Sequence, residues 1–325
     1  MSPSRTRGRL LCVVPNPSID KTAVVDRLVD GTIHRPTEVV AVPGGKGLNV
    51  ARAARALGVP VAATLLLAGH AGDWIDEELR RLRIPHDAVR SSGETRTCLS
   101  VLDRSTGAMT EIYEPGPVVT ESTWNRFLDV VRRSMRSIAT GSIVALSGSL
   151  PPGVDPDGAG AIVGVGRAAD LAVLVDMSGP ALRAALAAGP TVVKVNAAEA
   201  GALLGEVIET EAGAVAAARS LVSRGPGIAI VTRGPDGAVA CDGPDAWAVD
   251  APRSGGPHAV GAGDAFLAGL AEGLIHREPV TDSLVRAAGA AAASTLVPGP
   301  GNLDRGAARE MRSSVALRRI ASPST

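Results

Sequence analysis

The 325-residue sequence predicts an α/β fold: a central, mostly parallel sheet covered by helices on both faces, with a small second β-sheet projecting from it. Three observations carry this reading. Short apolar, β-branched runs alternate with Ala-rich stretches of helical periodicity, and continuous apolar strands separated by helices belong to parallel sheets buried on both faces. Two regions interrupt the rhythm with strand-like pieces and no helix between them. No internal repeat or low-complexity linker divides the chain, since the 38 glycines and 23 prolines are spread over the loops. A single domain over residues 1–325 is therefore expected.

The elements follow in order. Buried strands are predicted at 10–15, 61–67, 142–146, 171–176, 191–195 and 228–232. Helices are predicted at 48–57, 74–82, 122–138, 157–169 and 214–223, and again at 265–275 after a glycine-rich turn. The interruptions are 32–42 and 95–113. In the second, Thr97, Leu99 and Val101 alternate with Cys98, Ser100 and Leu102 before a turn at 105–107. Both are read as parts of a lid built from about 16–43 and 94–117. A charged helical pattern at 307–320 and a disordered end at 321–325 close the chain, and Arg5, Arg7 and Arg9 read as a frayed basic start.

Composition excludes several classes of function. The 33 Lys and Arg balance 33 Asp and Glu, so the basic excess of a nucleic-acid binder is missing. Aromatic residues make up 2 %, too few for base-stacking platforms. Cys12, Cys98 and Cys241 are odd in number and far apart, so neither a disulfide framework nor a zinc site is expected, and a reducing cytoplasm is the simplest setting. No apolar stretch reaches the ~20 residues of a membrane span. His34, His70, His86, His258 and His276 lack metal-ligand spacing, and most read as surface residues. Glu77-Glu78 reads as a solvated helix face.

Gly261-Ala262-Gly263-Asp264 opens the predicted helix at 265–275. Small residues let successive N–H groups converge on an anion at a helix N-terminus, and a phosphoryl group fits such a cup. Asp264 beside it is either a base that takes a proton from an attacking hydroxyl or a residue that caps the helix; the motif alone leaves both open. Pro43-Gly44-Gly45-Lys46-Gly47-Leu48-Asn49 is a second glycine-rich turn into a helix, in which the glycines allow close backbone approach, Lys46 adds a cation and Asn49 can bond hydroxyls. It is no P-loop, because Gly47 follows Lys46. Taken singly it reads as a plain turn with a solvated lysine. Asn16-Pro17-Ser18-Ile19-Asp20 follows the first strand, at the sheet edge where α/β proteins bind ligands, although in isolation it reads as an Asx-Pro turn. Gly164-Val165-Gly166-Arg167-Ala168-Ala169 matches a dinucleotide fingerprint but precedes a strand, the reverse of the required order.

Together these segments resemble the ribokinase-like (PfkB) carbohydrate kinases over about residues 10–303, with the motifs in family order. The resemblance implies the family's three-layer α/β sandwich with a small β-sheet lid. Within the family the chain is similar to the phosphosugar branch, which includes 1-phosphofructokinase, tagatose-6-phosphate kinase and the minor 6-phosphofructokinase. Asn16–Asp20, Gly93-Glu94-Thr95-Arg96-Thr97-Cys98, Thr110–Pro117 and Leu146-Ser147-Gly148-Ser149-Leu150-Pro151-Pro152-Gly153 carry that likeness. The resemblance implies transfer of the ATP γ-phosphoryl to a primary hydroxyl of a phosphorylated ketohexose. It makes Asp264 the base and Gly261, Ala262 and Gly263 the anion hole. Asp20, Gly44, Gly45, Lys46, Asn49 and Ser149 would hold the sugar, and Arg96, with Lys46 as a second cation, its existing phosphate. Lys194, Asn196, Thr232, Gly234 and Gly237 would hold the nucleotide, and Glu199 would order Mg²⁺ through water.

Val195 stands where the family has proline, Arg233 where a small residue is common, and His258 where relatives carry Asp, Asn or Ser, which leaves a monovalent-cation requirement open. A homodimer formed through the lid is a further expectation. The rival readings are a kinase for a free sugar or nucleoside, and a non-catalytic regulator that binds nucleotide or sugar phosphate. A dehydrogenase has only the misplaced glycine motif in its favour.

Overall fold

A computed structural model describes residues 8–252, 255–256 and 258–321. The frayed start proposed for Arg5 and Arg7, and all but residue 321 of the proposed disordered end, lie outside the described residues. Strands β1 (Leu10–Val14), β2 (Ser18–Val25) and β3 (Glu38–Gly44) lead into α1 (Lys46–Leu57), β4 (Val61–Ala68), α2 (Gly69–Arg81) and β5 (His86–Ser91). Next come β6 (Arg96–Asp103), β7 (Met109–Tyr113), α3 (Glu121–Ser137), β8 (Ile143–Ser147), α4 (Asp157–Ala168), β9 (Ala172–Asp176) and α5 (Gly179–Ala187). The remainder is β10 (Val192–Asn196), α6 (Ala197–Leu204), α7 (Glu211–Val222), β11 (Ile228–Thr232), β12 (Ala238–Cys241), β13 (Ala246–Val249), α8 (Ala262–Ile275), α9 (Val280–Ser294), α10 (Arg305–Ser313) and β14 (Leu317–Ile320).

Ten strands form the large sheet, in the order β14-β13-β12-β11-β10-β9-β8-β1-β4-β5. From β5 to β11 all neighbours run parallel, and β12, β13 and β14 add an antiparallel edge. The alternation of strand side chains divides the core in two. Leu10, Cys12 and Val14 of β1 enter one cluster with α1, α2, α8, α9 and α10. Leu11 and Val13 enter the other, with α3, α4, α5, α6 and α7. Helices therefore lie on both faces, which gives the three-layer α/β sandwich that the resemblance implies. The four-stranded second sheet runs β3-β2-β6-β7. Its first hairpin pairs β2 with β3, so the strand material begins at Ser18 and resumes at Glu38, and the segment from 32 to 37 is loop.

The expectation for the end of the chain fails. The charged pattern at 307–320 is not one helix: α10 ends at Ser313, and Leu317–Ile320 pairs antiparallel with β13. The open edge of β13 offers ladder hydrogen bonds. Leu317 packs on one core and Ile320 on the other, which an edge strand allows and a continuing helix does not. Helix ends shift where caps decide them. Thr120 accepts a hydrogen bond from Thr123 N and starts α3 at Glu121. The dinucleotide-like glycines, Gly164 and Gly166, lie within α4 and not at a strand-to-helix turn. The three cysteines are free and buried. His86 departs from the surface reading, since it is largely buried with Nε2 at 2.6 Å from Asp76 Oδ1. Among the described residues no helix is long and apolar enough to cross a membrane.

Candidate active site

The loops that leave the C-terminal ends of β1, β8, β9, β10 and β11 converge with the N-termini of α1 and α8, at the sheet edge where α/β folds bind ligands. At the start of α8, Gly261 is the N-cap with φ of 85°, a conformation that favours glycine. Asp264 is 5 % exposed and buried against this helix start. Its Oδ2 accepts a hydrogen bond from Asn49 Nδ2 at 3.0 Å, and no side-chain cap bond forms at Gly261. Asp264 is also the acidic residue of the first turn of α8, where its charge favours the helix dipole. Burial pushes the Asp264 carboxyl up to about 7, and the negative charge of Asp176 adds to this; Lys194, Lys46 and the Asn49 hydrogen bond act in the opposite sense.

Asp176 ends β9 and is fully buried between two ammonium groups. Lys194 Nζ donates to Oδ2 at 2.5 Å and Lys46 Nζ to Oδ1 at 3.0 Å. Burial alone would raise this carboxyl, but Lys194 and Lys46 outweigh it and hold it below the usual range. Lys46 also donates to Glu199 Oε1 at 2.9 Å. Burial opposes the Lys46 charge, and Asp176, Glu199 and Asp264 together more than restore it, so its pKa is raised. A Cβ on Gly263 would lie 2.8 Å from Lys194 Nζ, which places that ammonium over the start of α8. Asn196 and Glu199 form a capping box on α6: Glu199 N donates to Asn196 Oδ1 at 2.8 Å and Asn196 N to Glu199 Oε2 at 2.9 Å.

A second cluster lies on the small-sheet side. Asp20 on β2 accepts from Ser18 Oγ at 2.6 Å, Gly45 N at 3.1 Å and Asn49 Nδ2 at 3.3 Å. A Cβ on Gly44 would fall 2.0 Å from Asp20 Cγ, so only glycine lets the turn reach that carboxylate. Arg96 opens β6 and donates to Asn16 O at 3.1 Å and Glu114 O at 3.3 Å, both neutral oxygens. Asn16 in turn donates through Nδ2 to Ser149 Oγ at 3.0 Å. Asn16 Oδ1, Asn49 Oδ1 and Arg96 Nε are buried without a partner among the described residues. Lys46 and Arg96 share no partner: Lys46 lies on the Asp176 cluster and Arg96 beside Asn16.

A cavity of about 510 Å³ opens beside α8, lined by Thr232, Gly234, Gly237, Ala262, Gly263 and Phe266 among others. Its size and largely apolar lining suit a small-molecule ligand. Arg233 is not among the lining residues and pairs with Glu211 and Asp236. No cluster of three or more His, Cys, Asp or Glu that could hold a metal occurs among the described residues. The oxygens of Asp176 and Glu199 already accept from Lys46, Lys194 and Asn196 N. This donor set fits Mg²⁺ that keeps its waters and arrives on a phosphate ligand, not a protein-built cage.

Two participants carried no role in the sequence reading. Asp176 is one, although a lone carboxylate at the last position of an otherwise apolar strand is a usable signal. Asn16, the hydrogen-bonding hub under Arg96, is the other.

The model of the pfkB family carbohydrate kinases matches residues 9–305. The chain belongs to the pfkB family of carbohydrate kinases. Among solved structures of the fold, phosphofructokinase-2 from Escherichia coli in complex with potassium is similar at 27 % identity and a TM-score of 0.86, over 95 % of this chain and 99 % of that one. A possible 1-phosphofructokinase from Thermotoga maritima is similar at 26 % identity and a TM-score of 0.87, over 96 % of this chain and 100 % of that one. The same Escherichia coli enzyme has been solved with fructose-6-phosphate, with 26 % identity to this chain, a TM-score of 0.85, and coverage of 95 % and 99 %. A pfkB kinase is a phosphotransferase with an alcohol acceptor.

Proposed function

We propose that this pfkB kinase transfers the γ-phosphoryl of ATP to a primary hydroxyl of a phosphorylated ketohexose: fructose 1-phosphate, tagatose 6-phosphate or fructose 6-phosphate. The observation that carries the reading is the setting of Asp264. A buried carboxyl held near neutral pKa stands between the Asp20–Asn49 cluster and the N–H cup of Gly261, Ala262 and Gly263. The likeness to phosphofructokinases supports a phosphosugar as acceptor.

In this reading the remote phosphate of the sugar sits on Arg96, whose charge has only carbonyl partners among the described residues, with Ser149 and Asn16 beside it. Asp20, Gly44, Gly45 and Asn49 orient the sugar hydroxyls. Binding energy from the remote phosphate then holds the reacting hydroxyl against Asp264. As the hydroxyl oxygen attacks the γ-phosphorus, its proton passes to Asp264, the new O–P bond forms, the bond to the β-phosphate oxygen breaks, and ADP leaves. The N–H cup and the positive end of α8 stabilise charge on the phosphoryl in flight. Lys194 and Lys46 lie on the triphosphate side. Lys46 thereby moves from the sugar-phosphate role implied by resemblance to the donor side, because its ammonium is committed to Asp176 and Glu199.

Thr232, Gly234 and Gly237 line the cavity that takes the nucleoside, with Asn196 holding the neighbouring α6 start. Mg²⁺ bound to the triphosphate would neutralise developing charge, with Glu199 contacting its waters. The small sheet is a lid that excludes water on closure. Ile112 and Val39 expose apolar surface on this sheet, which suits a homodimer through the lid.

A panel of phosphorylated ketohexoses, free hexoses and nucleosides, read by coupled ADP release, tests the reading. Phosphorylated ketohexoses are expected to exceed free fructose in kcat/KM by about 100-fold or more, the worth of two charge-assisted hydrogen bonds. A preference for an unphosphorylated acceptor would transfer the assignment to a free-sugar or nucleoside kinase. Nucleotide binding without sugar-dependent ADP release would make the protein a regulator.

A further inference from the structure

Arg52 lies on α1 one turn beyond Asn49 and is only 8 % exposed. Its guanidinium meets neutral oxygens. Nη1 donates to Pro300 O at 2.7 Å and more weakly to Pro43 O at 3.4 Å, and Nη2 donates to Asn302 Oδ1. Among the described residues no carboxylate forms an ion pair with it. Burial pushes its pKa down to about 10, with Asp20 opposing, so it remains a cation at neutral pH. A buried charge without a counter-ion is unfavourable unless strong acceptors surround it, and here they come from two separate segments of the chain.

Both segments build the site. Pro43 directly precedes Gly44 and Gly45, the turn that closes on Asp20. The strap 298–302 supports the start of α8: a Cβ on Gly261 would lie 2.8 Å from both Pro300 Cα and Gly301 N. The same strap presses on α1, since a Cβ on Gly301 would lie 2.6 Å from Asn49 O. Asn302 Nδ2 donates to Pro298 O at 2.8 Å and closes the strap on itself. One planar fork thus reaches the sugar-side turn and the backing of the anion hole. A lysine ammonium, a point charge on a flexible stem, has neither the breadth nor the fixed directions for this.

We propose that Arg52 is a positioning residue that locks the turn 43–45 and the strap 298–302 to α1, so that the acceptor hydroxyl and the anion hole stay in register. This rests on the kinase reading above. Misplacement by about 1 Å in such a site reduces the rate on the order of 100-fold, and it also lets water replace the acceptor.

The test compares full-length wild type, R52K, R52M and N302A for kcat, both KM values, melting temperature, and the ratio of ADP formed to phosphosugar product. R52M is expected to lower kcat by about 30-fold or more, to raise the ADP-to-product ratio and to leave the affinity for a non-hydrolysable ATP analogue within about threefold. R52K is expected to recover little of the loss, because charge without the fork does not bridge the segments. N302A removes one arm and should lower kcat by about threefold in the same pattern, so it carries the test if the Arg52 variants do not fold. Wild-type values of kcat and of the product ratio in the folded variants overturn the proposal, whatever their melting temperatures. A wild type without sugar-dependent ADP release defeats the kinase reading itself, and this inference falls with it.

Discussion

Asn49 Nδ2 donates to Asp264 Oδ2 at 3.0 Å while the same nitrogen lies 3.3 Å from Asp20 Oδ2, so one amide ties the proposed base to the proposed sugar anchor. The bond favours the ionised form of Asp264 and so pulls its pKa down from where burial and Asp176 set it. Wild-type kcat/KM should therefore rise with pH up to an apparent pKa near 7, since only the carboxylate can accept a proton. Asn49→Ala should move that acid limb to higher pH and reduce kcat. An unshifted limb in a folded N49A enzyme would remove the Asn49 bond from the tuning of the base.

Asp176 acts in the opposite sense. Its negative charge raises the Asp264 pKa, and its loss also frees Lys194 and Lys46 to act on Asp264. Asp176→Asn should shift the acid limb of the pH–rate profile downward. It should also destabilise the fold by about 3–5 kcal/mol, the usual effect of removing one partner from a buried ion pair. Denaturant unfolding and the pH profile check the two parts separately, and an unshifted limb would show that Asp176 does not act on the base.

Arg96 has no counter-ion among the partners the structure gives it, only Asn16 O and Glu114 O. Arg96→Ala should raise KM for the phosphosugar by about 10–100-fold, the range expected for charge-assisted hydrogen bonds. KM for ATP should stay nearly constant. An equal loss with an unphosphorylated sugar would place Arg96 away from the sugar phosphate.

The parallel strands were legible because burial on both faces demands uninterrupted apolar runs; the segment 228–232 corresponds residue for residue to β11. The antiparallel edge was not. β12 and β13 are four residues each and rich in alanine, which carries neither alternation nor β-branching, and β14 lies inside a charged pattern of helical period. In the site, glycine-rich turns announce themselves by residue type. The partners of Lys46 do not, because Asp176 and Glu199 come from other strands and helices and meet it only once the sheet order is known. The partners of Arg52 are equally remote in sequence, since its acceptors at Pro300 and Asn302 reach it only when the strap from 298 to 302 folds over α1.

The central claim is that Asp264 is a base whose pKa the fold has raised. A carboxyl that is neutral in the folded protein and ionised in the unfolded chain lowers stability as pH rises from its ordinary value of 3.8 toward about 7. Asp264→Asn should therefore melt higher than wild type at pH 8, with the gain vanishing near pH 4. The decisive measurement is kcat of Asp264→Asn with a phosphorylated ketohexose at pH 8, alongside its affinity for ATP. If Asp264 is the base, kcat falls by about 100- to 10,000-fold with ATP affinity nearly unchanged. Turnover at the wild-type rate would contradict it.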